Sequence, residues 1–225
     1  MTETLDTNLL TVVRIEKVVS DLIGLLKKIA VSSEPENKLH GKMIQARSSL
    51  ETQHEGFMDL FIENQGVYQL QECLRSPHLK VVLQVFEIVP HFFNFKSVRG
   101  FIKGKLDFFT ALYLFMSHRN HGIRAGACQM FNHILQKLSR GTVGYNLITK
   151  AAINQAQGSN RAPFDELIES LSMQSLELRV EVLTLINLIV YISPSQKKKA
   201  QFLARLENMG LYDEMYKVGR ENSKD

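Results

Sequence analysis

The segment that most constrains the fold of this chain runs from Ser175 to Ser193 and reads SLELRVEVLTLINLIVYIS. Nearly all of its positions are apolar, and after Arg179 the polar exceptions are Glu181, Thr184 and Asn187. These exceptions recur with the period of an α-helix, so they share one side of it. The pattern predicts a buried helix with a narrow polar stripe, too short and too polar to span a membrane.

The same order of apolar and polar residues occurs twice earlier in the chain. Aligning the three segments predicts two rows of polar side chains, one of Gln84, Gln129 and Thr184 and one of Glu87, Asn132 and Asn187. In this alignment the residues that face the core are Leu83, Cys128 and Leu183. Three copies of one helix, about 45 to 55 residues apart, are typical of stacked helical repeats. We therefore predict an all-α fold, a right-handed repeat array of armadillo or HEAT type.

Composition agrees with a helical domain that lies inside the cell. The chain has 225 residues, of which 44% are hydrophobic and 22% charged, with a net charge of +4. Cys73 and Cys128 lie within apolar helical patterns and are expected to be buried thiols in a reducing compartment. No signal sequence and no long apolar run are apparent, so we expect a soluble cytoplasmic location.

Glycine and proline divide the chain into short and long helices. We predict an N-terminal helical segment over residues 1–53, a repeat region over 54–218 and a solvated tail over 219–225. Pro90 is expected to kink or end its helix.

Three stretches of sequence resemble a known family. They are HEGFMDLFIENQGVYQLQECL from His54, APFDELIESL from Ala162, and LRVEVLTLINLIVYISPSQKKKAQFLARLENMGLYDEM from Leu178. Together they resemble the GTPase-binding and third formin-homology region of diaphanous-related formins, over roughly residues 54–218.

The resemblance implies a regulatory function without catalysis. In these formins, an armadillo array binds an autoregulatory amphipathic helix, and an activated Rho-family GTPase displaces that helix. The chain is then expected to be a cytoskeleton-associated interaction module of a formin-like actin regulator, with its N-terminal segment toward the GTPase-binding end. The alternative is a general armadillo scaffold or adaptor that binds no GTPase.

The residues expected to contact partners form two groups. The partner groove would comprise Gln84, Glu87, Gln129, Asn132, Glu181, Thr184 and Asn187. The GTPase-facing residues would be Asn94, Lys96, Arg99, Lys103 and Lys105. A carboxylate at Glu181 would favour a helix that carries Lys or Arg. The other interpretation of the polar stripe is structural, because buried amides must find hydrogen-bond partners in any case.

No catalytic pattern and no cofactor site emerge from the sequence. His118 and His121 lack a nearby acidic or cysteine partner, and no phosphate-binding glycine loop follows a predicted strand. The run Lys197, Lys198 and Lys199 is either a solvated face or a docking surface for an acidic partner, such as a GTPase switch region or an anionic membrane surface. The modest net charge argues against nucleic acid.

Overall fold

The computed structural model describes residues 2–51, 55–95, 106–138 and 142–221, and these ranges contain helices and no strand. The all-α prediction is confirmed. In chain order the helices are α1 Thr2–Val31, α2 Glu36–Glu51, α3 Glu55–Glu63, α4 Gly66–Cys73, α5 Leu79–Phe92, α6 Leu106–Leu114, α7 His121–Lys137, α8 Val143–Ser159, α9 Asp165–Leu171, α10 Leu176–Tyr191, α11 Gln196–Asn208 and α12 Leu211–Glu221. A 3-10 turn, Phe115–Ser117, follows α6. Within the described ranges, no helix has the length and apolar character needed to cross a bilayer.

The chain divides into two compact units, residues 1–103 and 104–225. In the first unit, α1 packs on α2, α3 and α4, and α2 packs on α5. Phe61 is fully buried between Phe57 and Phe92, with ring centroids 6.2 and 5.8 Å away. The boundary predicted after residue 53 therefore separates helices that pack together here. Pro90 lies in the last turn of α5, which ends at Phe92.

The second unit is built on the pair α7 and α10. These two helices pack along each other, α6 packs on α8, and α9 contacts both α10 and α12. Tyr113 of α6 contacts the rings of Phe131 and Phe164 at centroid distances of 5.8 and 6.4 Å. The aromatic core therefore joins α6 and α7 to the segment that leads into α9.

Helices α7 and α10 are copies of one structural unit. Asn120 caps α7 by accepting a hydrogen bond from the NH of Ile123, and Ser175 caps α10 in the same way from Leu178. From these caps onward, the buried positions coincide between the two helices in the pairs Ile123 and Leu178, Arg124 and Arg179, Ala127 and Val182, Met130 and Leu185, Phe131 and Ile186, and Ile134 and Ile189. The predicted equivalence of Gln129 with Thr184, and of Asn132 with Asn187, follows this register.

Helix α5 shares the pattern in a different register from the predicted one. Its N-cap is His78, and its buried residues match the other two helices when His78 is placed on Asn120 and Ser175. Gln84 then corresponds to Gly126 and Glu181, Glu87 to Gln129 and Thr184, and Pro90 to Asn132 and Asn187. The predicted alignment of Gln84 with Gln129 is wrong by three residues. A slip of nearly one helical turn preserves the apolar pattern, so the sequence pattern does not reveal it.

Leu183 was also expected to face the core, but it is half-buried. The residues of α10 that fill the core are Leu178, Val182, Leu185 and Ile189, all fully buried. Their spacing places one continuous stripe against the rest of the unit, and Leu183 is rotated away from it.

Candidate partner-binding surface

One side of α10 is an uncharged surface that the rest of its unit leaves exposed. Its residues are Leu176, Val180, Thr184, Asn187 and Tyr191, which we call the α10 stripe. Leu176, Val180 and Tyr191 are 65%, 52% and 77% exposed, Asn187 is exposed and Thr184 half-buried. The spacing of three and four residues keeps them on one face along the whole helix. None of them is charged, which is unusual for a solvent-facing helical surface.

Glu181 lies at the edge of this stripe and contacts α7. Asn132 of α7 donates from Nδ2 to the carboxylate Oε2 of Glu181 at 2.7 Å and to its backbone carbonyl at 3.0 Å. Asn132 is only 2% exposed, whereas Glu181 is half-buried. The amide therefore joins the two helices and fixes the position of the carboxylate. For Asn132 and Glu181, the structural interpretation therefore holds, because their hydrogen bonds join α7 to α10.

The neighbouring polar residues of α7 face outward. Gln129 and His133 are exposed on either side of the buried Asn132. Gln129 occupies the repeat position that corresponds to Glu87 in α5 and Thr184 in α10, and none of these three side chains is fully buried. These equivalent positions are therefore solvent-accessible in each of the three helices.

In the first unit, the predicted groove residues form a local cluster. Gln84 is 8% exposed, and its Nε2 donates to Glu87 Oε2 at 3.4 Å. Glu87 also forms an ion pair with Arg47 of α2. Both side chains therefore bind within their own unit, and of the two only Glu87 is exposed to solvent.

Of the GTPase-facing candidates, only Asn94 lies within the described residues. It is exposed in the turn that follows α5, where its NH bonds to the carbonyl of His91 at 3.1 Å. Lys96, Arg99, Lys103 and Lys105 lie outside the described ranges.

Two features of the described part of the chain bear on metal and thiol chemistry. No group of three or more histidine, cysteine or acidic side chains there could hold a metal ion. Cys73 and Cys128 are both buried, and burial raises the pKa of each thiol to about 12. Thiols that remain protonated are poor nucleophiles.

A buried polar network behind α10 was not anticipated from the sequence. Arg124 is 3% exposed and donates from Nε to the carbonyl of His118 at 2.6 Å, from Nη1 to Ser170 Oγ at 3.0 Å, and from Nη2 to Glu169 Oε1 at 2.8 Å. Arg179, its counterpart in α10, donates from Nε to the carbonyl of Leu171 at 3.0 Å. The signal was present in the sequence, since the two arginines align in the repeat.

Glu166 is the most deeply buried carboxyl group of the described residues. It is 1% exposed and accepts a hydrogen bond on Oε1 from the hydroxyl of Tyr113, while Oε2 has no protein partner in the described ranges. Burial raises the pKa of Glu166 to about 7, and the negative charge of Glu169 adds to the effect. The group is therefore poised to change charge near neutral pH.

A sequence model of a protein family matches most of the second unit. The description of that model is "FHOD1/3 FH3 domain", and it matches residues 112–213, from within α6 to within α12. The match is to the formin homology 3 family. It confirms the resemblance to formins for a stretch that includes the whole α7 and α10 pair. No curated protein sequence matches the chain.

Solved structures with the same fold include designed armadillo repeat proteins. A designed armadillo repeat protein in complex with the peptide (KR)4 superposes with a TM-score of 0.61 at 15% identity, covering 90% of this chain and 77% of that one. A second designed armadillo repeat protein gives 0.60 at 14% identity with the same coverage. An engineered protein gives 0.60 at 12% identity, covering 90% and 89%. The predicted armadillo fold is confirmed, and together with the FH3 match it supports a formin-type regulatory repeat module.

Proposed function

We propose that this FH3-type module binds an autoregulatory amphipathic helix on the α10 stripe, without catalysis, and that an activated Rho-family GTPase displaces that helix. The single observation that carries the proposal is the uncharged, exposed stripe of α10. The remaining parts rest on the resemblance to formins and on the FH3 match.

The α10 stripe has the dimensions of a helix-binding surface. Helix α10 has 16 residues and is therefore about 24 Å long. Leu176, Val180 and Tyr191 offer large apolar side chains along that length, with Asn187 between them as a hydrogen-bonding group. Helix-in-groove partners use apolar anchors at matching spacing, and contiguous exposed apolar residues mark such surfaces.

The charges beside the stripe favour a basic partner. Glu177 is exposed and Glu181 is half-buried, and Asn132 holds the Glu181 carboxylate in place. A fixed carboxylate at the rim attracts Lys or Arg and repels an acidic helix. The designed armadillo protein that shares this fold was solved with the basic peptide (KR)4. That property belongs to the designed protein, but it agrees with the charge preference proposed here.

The test measures the affinity of a fluorescent amphipathic helical peptide that carries leucines and a Lys/Arg cluster. Val180→Asp places a charge in the stripe, and we expect binding to weaken at least roughly tenfold. Glu181→Gln removes the charge but keeps an acceptor for Asn132, and the loss should be about 1 kcal/mol. Tyr68→Asp is the matched control, because Tyr68 is 53% exposed on α4, outside the proposed surface.

Equal binding by the wild type, Val180→Asp and Tyr68→Asp would show that the α10 stripe is not the binding surface. Circular dichroism of each variant confirms that the helices are retained.

The alternative function is a general armadillo scaffold that binds no GTPase. A pull-down with GTP-loaded and GDP-loaded Rho-family proteins separates the two. Retention of the GTP-loaded form alone supports the regulatory module, and retention of neither form supports the scaffold.

A further inference from the structure

The start of α11 carries an unusual concentration of positive charge. Lys197 and Lys198 are exposed and Lys199 is half-buried, all in the first turn or just beyond it, and no acidic residue accompanies them there. None of the three pairs with a carboxylate of the described residues. Cations at a helix N-terminus lie against the positive end of the helix dipole. The three lysines therefore do not stabilise the start of α11.

The ends of α7 and α10 and the start of α8 lie at the same end of the unit as the start of α11. The Cβ position of Gly144, at the start of α8, lies 3.1 Å from the side chain of Leu138 and 3.4 Å from that of Ile192. Leu138 and Ile192 are the C-caps of α7 and α10. Lys137, in the last turn of α7, and the 77% exposed Tyr191, in the last turn of α10, therefore belong to the same end of the unit.

The segments that build this end contain no carboxylate. The sequence has no Asp or Glu between Asp107 and Asp165, and none between Glu181 and Glu207. The acidic residues of the unit's middle part are concentrated on α9 and the first half of α10. The charge of the unit is therefore unevenly distributed, and the segments that build the end with the three lysines contribute no carboxylate to neutralise it.

We infer that Lys197, Lys198 and Lys199, with the exposed Tyr191 at the same end of the unit, form a docking surface for an anionic lipid bilayer. Clusters of lysines gain attraction from a negative leaflet without needing a fixed partner geometry. Recognition of one planar anionic group would favour arginine, and the cluster contains none. An exposed tyrosine suits the headgroup region, where its ring and its hydroxyl are both accommodated. The three lysines lie on α11, off the α10 stripe, and Tyr191 is the one residue that the docking surface shares with the proposed peptide site.

The test is co-sedimentation of the full chain with phosphatidylcholine vesicles, with and without about 30 mol per cent phosphatidylserine, at about 0.1 M salt. We expect binding to the anionic vesicles only, and its loss at about 0.5 M salt. The triple variant Lys197→Ala, Lys198→Ala and Lys199→Ala should bind on the order of a hundredfold more weakly, at about fivefold per lysine. The double variant Lys197→Ala and Lys198→Ala, which changes only exposed side chains, should lose about twenty-five-fold.

The matched control changes the net charge equally on another part of the chain. Lys17, Lys27 and Lys28 are exposed on α1, and their triple alanine variant should bind as the wild type does. The inference is overturned if the wild type ignores anionic vesicles, if the α11 variants bind unchanged, or if the α1 variant loses as much affinity. Tighter binding to polyglutamate or to duplex DNA than to the vesicles would also overturn it, by pointing to an acidic protein or a nucleic acid instead. Peptide binding at the α10 stripe should not change in the α11 variants, so failure of one proposal is distinguishable from failure of the other.

Discussion

At the scale of single residues, Glu166 should make the stability of the protein depend on pH. Its pKa is about 7 in the folded protein because of burial, against 4.5 for an ordinary glutamate. Between these values the folded state holds a proton that the unfolded chain has released. The stabilising contribution is therefore complete below pH 4.5 and is lost as the pH rises through about 7.

The expected result is a fall of up to about 3 kcal/mol in the free energy of unfolding between pH 5 and pH 8, measured with urea. Glu166→Gln cannot titrate and keeps an acceptor for Tyr113, so this part of the pH dependence should disappear. Glu177→Gln, on the exposed start of α10, is the control and should keep it. A pH profile that is the same for Glu166→Gln and the wild type would contradict the assignment.

Asn132 and Asn187 occupy the same position in the repeat but different surroundings. Asn132 is buried and bridges α7 to Glu181, whereas Asn187 is exposed on the α10 stripe. Asn132→Ala should cost about 1–3 kcal/mol, because it leaves the carbonyl and carboxylate of Glu181 without their donor. Asn187→Ala should change stability by less than about 0.5 kcal/mol. Thermal and urea unfolding of the two variants measures these changes in stability. Equal losses of stability would show that the repeat position alone, and not its surroundings, determines what each asparagine contributes.

At the scale of elements, the turn between α3 and α4 depends on Gly66. A Cβ at this position would lie against the ring of Phe61, which is fully buried between Phe57 and Phe92. The ring has no room to move, so Gly66→Ala should destabilise the first unit by about 1–3 kcal/mol. Gly56→Ala is the control. Nothing lies within 4 Å of the Cβ position there, and alanine favours the helix, so its stability should be unchanged or higher by up to about 1 kcal/mol. A stable Gly66→Ala protein would show that the aromatic packing adapts.

The sequence predicted where the helices lie, but it predicted only in part which face of each helix is buried. The apolar period and the stop signals predicted α7 and α10 and their mutual alignment, since local rules decide both. The register of α5 and the burial of Leu183 could not be predicted, because a shift within one turn changes the packed face and barely alters the pattern. The network of Arg124 with Ser170 and Glu169 joins residues about 45 positions apart, and only folding brings them together.

At the scale of the whole molecule, the fold was predictable from internal repetition, and the partner surface was not. A repeat requires each copy to pack on its neighbours, which indicates an armadillo array before any contact is known. Which polar side chains remain accessible to solvent depends on the residues that pack against each copy. Asn132 meets Glu181 and is buried, while Asn187 and Thr184 stay accessible on α10. Of the seven predicted groove residues, only Thr184 and Asn187 belong to the α10 stripe, and its apolar members were not predicted.

We propose that one module binds an autoregulatory helix and that an activated Rho-family GTPase displaces this helix. The most direct test is the fluorescence anisotropy of a labelled amphipathic basic peptide bound to the full chain, titrated with a Rho-family GTPase in each nucleotide state. We predict that the GTP-loaded form lowers the anisotropy to that of the free peptide, while the GDP-loaded form leaves it unchanged. Peptide that stays bound in the presence of saturating GTP-loaded GTPase, or that both nucleotide forms displace equally, would contradict the proposed regulation.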